Sequence, residues 1–174
     1  MQIDARAVAN FFIDKAKGAE RQPDLVALQN LTYLAHGWFL GLTEEPLISS
    51  EILAWEHGAY ISDIANDVRF SRKLHSVHRK FWKLDGDSGQ LDLCLEQCVN
   101  EKRLEEIKTF LESIWTGYGQ FSTRQLVDFV RGDTAWRAAI QQASHRMSDA
   151  LILKHFRSLV EGNKEQPIEQ FAAS

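Results

Sequence analysis

Residues 25–42 constrain the fold more than any other stretch. Leu25, Leu28, Leu31, Ala35, Trp38, Phe39 and Leu42 trace one broad helical stripe, while Val26 and Leu34 lie off it. A helix that is apolar on most of its sides needs cover on most of its sides, so the spacing predicts the central, most buried helix of the domain. Gln29, Asn30, His36 and Gly37 interrupt the run, which is therefore not a membrane span. Asp24 is placed to cap its start, and Pro46 stops the region.

Helical spacing recurs on both sides of this element. Ala5, Val8, Phe12 and Ala16 follow a capping Asp4, with Gly18 at the end. Leu104, Ile107, Leu111, Ile114, Trp115 and Tyr118 trace another stripe, closed by Gly117 and Gly119. Ser122-Thr123-Arg124-Gln125 has the capping-box pattern, with Leu126, Phe129 and Val130 inward. Asp133 or Thr134 starts a helix carrying Trp136, Ala139 and Ile140. Ser148 starts the last, with Ile152, Phe156, Leu159 and Val160 inward. Between these groups, Ile52–His57, Val77–Leu84 and Leu91–Cys98 read as strands, with a short helix over Ile61, Ile64, Ala65 and Val68. Asp85-Gly86-Asp87-Ser88-Gly89 is a hairpin loop. The expected fold is mainly α, of the α+β kind. It is a compact helical domain with a small antiparallel sheet of two or three strands inserted between its N- and C-terminal helices. One domain over residues 1–162 is expected, with 163–174 a polar, flexible C-terminal tail.

Composition excludes several classes. With 44% hydrophobic and 25% charged residues, wholesale disorder is out. A net charge of −4 argues against a protein that coats nucleic acid along its whole surface. The opening Met-Gln-Ile-Asp-Ala-Arg lacks the layout of a secretory signal, and two cysteines make no disulfide framework, so a cytoplasmic location is expected.

Four pieces of the chain, in order, resemble the Panacea domain family, which includes SocA-like antitoxins and phage-associated GepA proteins. Leu28-Gln29-Asn30-Leu31-Thr32-Tyr33-Leu34-Ala35-His36-Gly37-Trp38-Phe39-Leu40 is similar to that family's "LQKLLYFAQGWYLA" helix. Pro46-Leu47 and then Glu51-Ile52-Leu53-Ala54-Trp55-Glu56-His57-Gly58 resemble "PLF…EIEAWKYGPV". Trp115-Thr116-Gly117-Tyr118-Gly119-Gln120-Phe121-Ser122, Leu126 and Trp136 resemble "VWEKYGKLS…L…TH…PW", and Asp149 to Phe156 the closing "I…IKEYF" helix. The chain departs from the pattern at Ala27 and Asn30, where lysines stand, and at Ala59-Tyr60 in the "GPV" turn. It departs again at Val130-Arg131 in place of Thr-His, and at Ala135 in place of proline. The resemblance implies a binding protein and no enzyme. Such a protein is an antitoxin that neutralises a cognate toxin by direct contact, or an adaptor that presents it to a protease, with no cofactor. It also points to Tyr60 and Arg131, which stand at the end of the turn motif and at the histidine.

Charge segregation supplies a second pointer. Arg69, Arg72, Lys73, Arg79, Lys80 and Lys83 fall within 69–83 without one acid, beside His75, His78, Phe70, Phe81 and Trp82. With six positive charges here and −4 overall, the rest of the chain is net −10. Such a strip suits an acidic protein surface, with Arg72, Lys73, Arg79, Lys80 and Trp82 as contacts. It also suits nucleic acid, or it is a solvated strand edge that lysines protect from pairing. His75-x-x-His78 with Cys94 and Cys98 has zinc-ligand chemistry. On one strand, however, the cysteines would lie about 13 Å apart, at ~3.3 Å per residue, so no metal site is expected. No Gly-x-Ser-x-Gly elbow or phosphate-cradling loop occurs. His36 reads as a satisfied core histidine and His57 as a turn residue. Trp38, Trp115 and Trp136 fall on apolar helical faces, Trp55 has an inward option on its strand, and Trp82 is the candidate exposed anchor.

Overall fold

Asp24 accepts a hydrogen bond from the Ala27 amide at 2.7 Å and starts α2 (Leu25–Thr43), the helix around which the molecule is organised. The computed structural model describes residues 2–66, 81–85 and 89–162 of the 174, with backbone alone for 82–85 and 89–92. The tail expected from residue 163 lies outside the described residues. In chain order the elements are α1 (Ala5–Gly18), α2, β1 (Ile52–Trp55), β2 (Gly58–Ile61), α3 (Ser62–Ala65), β3 (Trp82–Asp85) and β4 (Gly89–Asp92). A 3-10 turn (Leu95–Gln97), α4 (Glu101–Tyr118), α5 (Thr123–Gly132), α6 (Thr134–Ala139) and α7 (Asp149–Gly162) follow. The mainly α fold with a small antiparallel component is as expected. β1 pairs with β2, and β3 with β4, as two separate two-stranded units.

Four caps read from sequence, and a fifth at Asn100 that the sequence reading did not include, hold the helices. Asp4, Asp24, Asn100 and Asp133 each accept from a backbone amide in the first turn that follows, and Ser122 with Gln125 forms a full capping box. Each such cap is worth about 0.5–2 kcal/mol.

Three strand expectations change. Leu91–Cys98 is no single strand: the last bond across the hairpin runs from Leu93 N–H to the Phe81 carbonyl at 3.0 Å, and the chain then winds into the 3-10 turn. The cause is α1. Its buried Asn10 accepts from the Phe81 amide at 2.6 Å and donates to the carbonyls of Phe81 and Leu93 at 2.7 Å, taking over the backbone at the base of the hairpin. Cys98 consequently lies on a tight turn, with its thiol 3.5 Å from the Cys94 carbonyl, and not along an extended strand. β1 stops at Trp55, two residues short of His57. Gly58–Ile61 forms a second strand that the sequence reading did not include, because Gly58 at φ 95° reverses the chain, and the expected short helix follows it at Ser62–Ala65. Residues 77–80 of the third expected strand lie outside the described residues.

α2 is covered by α1, α4, α5, α7 and β2. Its closest crossing is with α7. A Cβ at Gly37 would lie 2.1 Å from the Phe156 ring, and one at Gly41 would lie 2.8 Å from the Phe156 Cβ. The two glycines, four residues apart, form a notch on one face of α2, and Phe156, 1% exposed, fills it. The ring also meets Tyr33 and Trp38 edge-on, at 6.0 and 5.4 Å. His36, as expected, is a satisfied core residue. Its Nδ1 accepts from the Ile48 amide at 3.4 Å, and its Nε2 faces Asp149 Oδ1 at 3.3 Å. That bond holds the Asp149 carboxyl below the usual carboxylate range.

Two outcomes follow from this packing. Gly37→Ala forces an overpacked contact and is expected to cost about 1–3 kcal/mol. Gly117→Ala, near the end of α4 with nothing within 4 Å of the new methyl, is expected to stabilise by about 0.5–1 kcal/mol. Thermal melts should therefore move in opposite directions. A carboxyl whose folded value is depressed contributes stability above its unfolded value, about 3.9 for Asp, and loses it as pH falls through the folded value. Asp149→Asn is thus expected to lower the urea midpoint at neutral pH, with the gap to the parent closing as pH falls below the ordinary carboxylate range.

Candidate docking site

The β1–β2 hairpin has both of its edges occupied. On the β2 side, Ile61 N–H donates to Gln29 Oε1 at 2.8 Å and Ala59 N–H to Asn30 Oδ1 at 3.1 Å. Asn30 Nδ2 donates to the His57 carbonyl at 3.0 Å and back to Val26 at 2.9 Å. Alternate strand amides project to the same edge, and Gln29 and Asn30, successive residues of α2, meet one each. On the β1 side, Ala54 N–H donates to the His145 carbonyl at 2.7 Å, and Met147 N–H to Ile52 at 2.9 Å. His145 lies in this loop, outside any helix, at φ 52°.

With the edges closed, the outer face remains. Ile52 and Ala54 point into the core, so alternation turns Leu53 and Trp55 outward. Tyr60 pairs with Leu53, which puts it diagonal to Trp55 on the same face. The two rings stack at 4.1 Å with 18° between their planes, and Trp55 stays 49% exposed. Tyr60 donates its hydroxyl proton to Asn66 Oδ1 at 2.8 Å. The Trp136 indole N–H reaches the carbonyls of Trp55 and Gly58, both at 3.1 Å, so α6 braces the hairpin turn. The Arg131 guanidinium lies 5.3 Å from the Trp136 ring centre. Tryptophan, tyrosine and arginine are the residues most enriched at protein-interface hot spots, and here they gather around one hairpin.

Tyr60 and Arg131 are thereby linked through Trp55 and Trp136. Arg72, Lys73, Arg79 and Lys80 lie outside the described residues. Trp82 is paired with Asp92 in the backbone of β3, and its side chain lies outside the description. Trp55 is the contact that sequence reasoning missed. Its signal was the period-two pattern of Ile52-Leu53-Ala54-Trp55, which assigns it outward once Ile52 and Ala54 are inward.

A second polar cluster is internal. Tyr33 donates to Asp133 Oδ2 at 2.5 Å, while Asp133 Oδ1 accepts from the Trp136 amide at 2.5 Å. His155 Nδ1 lies 3.2 Å from the Thr134 hydroxyl. Burial raises the Asp133 carboxyl and lowers the His155 imidazole, and burial with the nearby carboxylate raises the Tyr33 hydroxyl well above its ordinary value. Each group has a structural partner, and Asp133 caps α6. Among the described residues no three His, Cys, Asp or Glu side chains are grouped to hold a metal, and no helix is long and apolar enough to cross a membrane.

Comparison with known proteins places residues 28–137 within the family model described as antitoxin SocA-like, Panacea domain. The chain is 32% identical over 125 residues to the protein named antitoxin SocA from Caulobacter vibrioides. That match takes in 72% of this chain and 63% of the relative, so it spans less than two thirds of the relative's length. No solved structure matches the chain.

Asn30→Ala would strip the acceptor from the buried Ala59 N–H, at about 1–3 kcal/mol, and the donor from the carbonyl of the exposed His57, which water can replace. Amide hydrogen exchange is expected to accelerate at Ala59 much more than at Ile61, which keeps its bond to Gln29. Equal protection in both proteins would show that Asn30 does not hold the hairpin.

Proposed function

We propose, from the premise that this chain belongs to the SocA-like Panacea domain family, that it is an antitoxin that neutralises a protein toxin by gripping it directly, without bond chemistry or a cofactor. The observation that carries this reading is the stacked, half-exposed Trp55–Tyr60 pair beside Arg131 and Trp136. Rigid aromatic rings held by a braced hairpin lose little conformational entropy on binding, which favours tight association. The basic segment 69–83, with Arg72, Lys73, Arg79, Lys80 and Trp82, adds six positive charges that would favour an acidic partner, in a chain whose remaining residues are net negative. Delivery of the captured toxin to a protease, in the cytoplasm, is the finer form of this role.

The test is co-expression and co-purification with the product of the adjacent gene. The parent chain is expected to form a complex and rescue growth. Trp55→Ala with Tyr60→Ala is expected to weaken binding by about 30-fold or more, as loss of hot-spot side chains does. Arg79→Glu with Lys80→Glu is expected to slow association, most visibly at low salt. Undiminished binding by a folded aromatic variant would reject the hairpin face. Strong duplex DNA binding that collapses steeply with salt would move the basic segment to the nucleic-acid reading.

A further inference from the structure

α6 is six residues long, too short to stand as a helix by its own hydrogen bonds. It nevertheless carries Trp136, whose indole N–H reaches the carbonyls of Trp55 and Gly58 and so closes the turn of the β1–β2 hairpin. The placing of the exposed Trp55 ring therefore depends on what holds α6. Two buried alanines, Ala135 and Ala139, seat one side of it, with little apolar surface to offer. The Thr134 hydroxyl meets His155 Nδ1, an exposed tie to α7. The start of α6 is held from inside. Asp133, 4% exposed, accepts from the Trp136 amide through Oδ1 and from the Tyr33 hydroxyl through Oδ2, both at 2.5 Å. Tyr33 belongs to α2 and is fully buried. One carboxylate thus ties the residue that braces the hairpin to the central helix, 100 positions away in the chain.

We propose that Tyr33 and Asp133 are positioning residues for the docking face: they set Trp136, and through it the backbone that presents the Trp55–Tyr60 stack. This deepens the docking reading and rests on it for its use in binding, while the link itself stands on the bonds above. The two rings of the stack are held in different ways. Tyr60 is fixed through its hydroxyl at Asn66 and through the amides on either side of it, which donate to Asn30 and Gln29. Trp55 relies on its backbone, and its own carbonyl is one of the two that Trp136 takes. Hydrogen bonds to a buried carboxylate are the stronger, charge-assisted kind, and an oxygen left without its donor in such a place is costly. Loss of the Tyr33 hydroxyl therefore loosens the start of α6, and a helix of six residues has no further turn to absorb the change.

The experiment needs no partner. The full chain is isotope-labelled, and the indole N–H signals of its five tryptophans are assigned by single Trp→Phe changes. Tyr33→Phe removes one hydroxyl and keeps the ring that meets Phe156. Hydrogen exchange at the Trp136 indole is expected to speed up by about tenfold or more, as local opening does when a charged hydrogen bond is lost. The Trp55 signal is expected to move toward its position in Tyr60→Ala, where the stack is absent. Asp133→Asn still offers an oxygen to the Trp136 amide and an N–H to the Tyr33 oxygen, so it is expected to keep both signals close to the parent's. Asp133→Ala is expected to move both further than Tyr33→Phe does. If that variant does not fold, Tyr33→Phe and Asp133→Asn decide between them. Asn10→Ala, which loosens the other hairpin, is the control for lost stability alone and is expected to leave both signals in place. Parent-like exchange and an unmoved Trp55 signal in Tyr33→Phe would overturn the proposal. So would equal movement in Asn10→Ala, or an Asp133→Asn chain that behaves like Tyr33→Phe. Binding of the adjacent gene product is scored separately: a parent chain that does not bind it rejects the docking reading, while the indole signals decide the link.

Discussion

The molecule depends on a pair of amide side chains that interrupt its most apolar helix. Gln29 and Asn30 are 6% and 0% exposed, and together they take up the β2 amides at Ile61 and Ala59. A two-stranded hairpin is marginal by itself in water. Here one edge is hydrogen-bonded to a helix and the other to the 145–147 loop, so the hairpin is held by the core instead of by its own pairing. The same device recurs at the other end of the chain's β segment, where Asn10 of α1 clamps Phe81 and Leu93. In both places a helix side chain does the work of a neighbouring strand, which explains how a mainly helical protein carries two separate hairpins without a larger sheet.

Two departures from the family pattern meet at this clamp. Where the pattern has proline, this chain has Ala59, 4% exposed, whose amide N–H needs an acceptor. Where the pattern has lysine, this chain has Asn30, whose Oδ1 supplies it. A proline offers no N–H and a lysine no acceptor, so the pattern's own combination is consistent in the opposite sense. Gly58 is fixed by the same arrangement. Its φ of 95° disfavours a side chain, and a Cβ there would lie 2.1 Å from Asn30 Oδ1.

The exposed surfaces follow from what the core leaves over. Closing both edges of the β1–β2 hairpin leaves only its outer face to solvent, and that face carries Trp55 and Tyr60. Seating Phe156 in the Gly37–Gly41 notch draws α7 onto α2, and α5 and α7 stand apart above Leu34. Phe156 therefore contributes to the core and to the floor of the space between them.

Local chemistry was legible in the residues themselves. The apolar girth of residues 25–42 identified the central helix, because such a surface is stable only when covered. Asp4, Asp24, Ser122 and Asp133 marked helix starts, because a short acceptor beside unpaired amides needs no distant partner. The strand of Leu91–Cys98 was misread, because alternation cannot register that Asn10, more than eighty residues away in the chain, takes the Leu93 carbonyl. The outward setting of Trp55 was half visible in its strand's alternation, whereas the exposure of Phe129 and Leu159 contradicts their helical periodicity. Periodicity gives the direction of a side chain from its own helix axis. Whether anything stands in that direction is decided by how α5 and α7 cross α2, and that depends on glycines and rings brought together only by the fold.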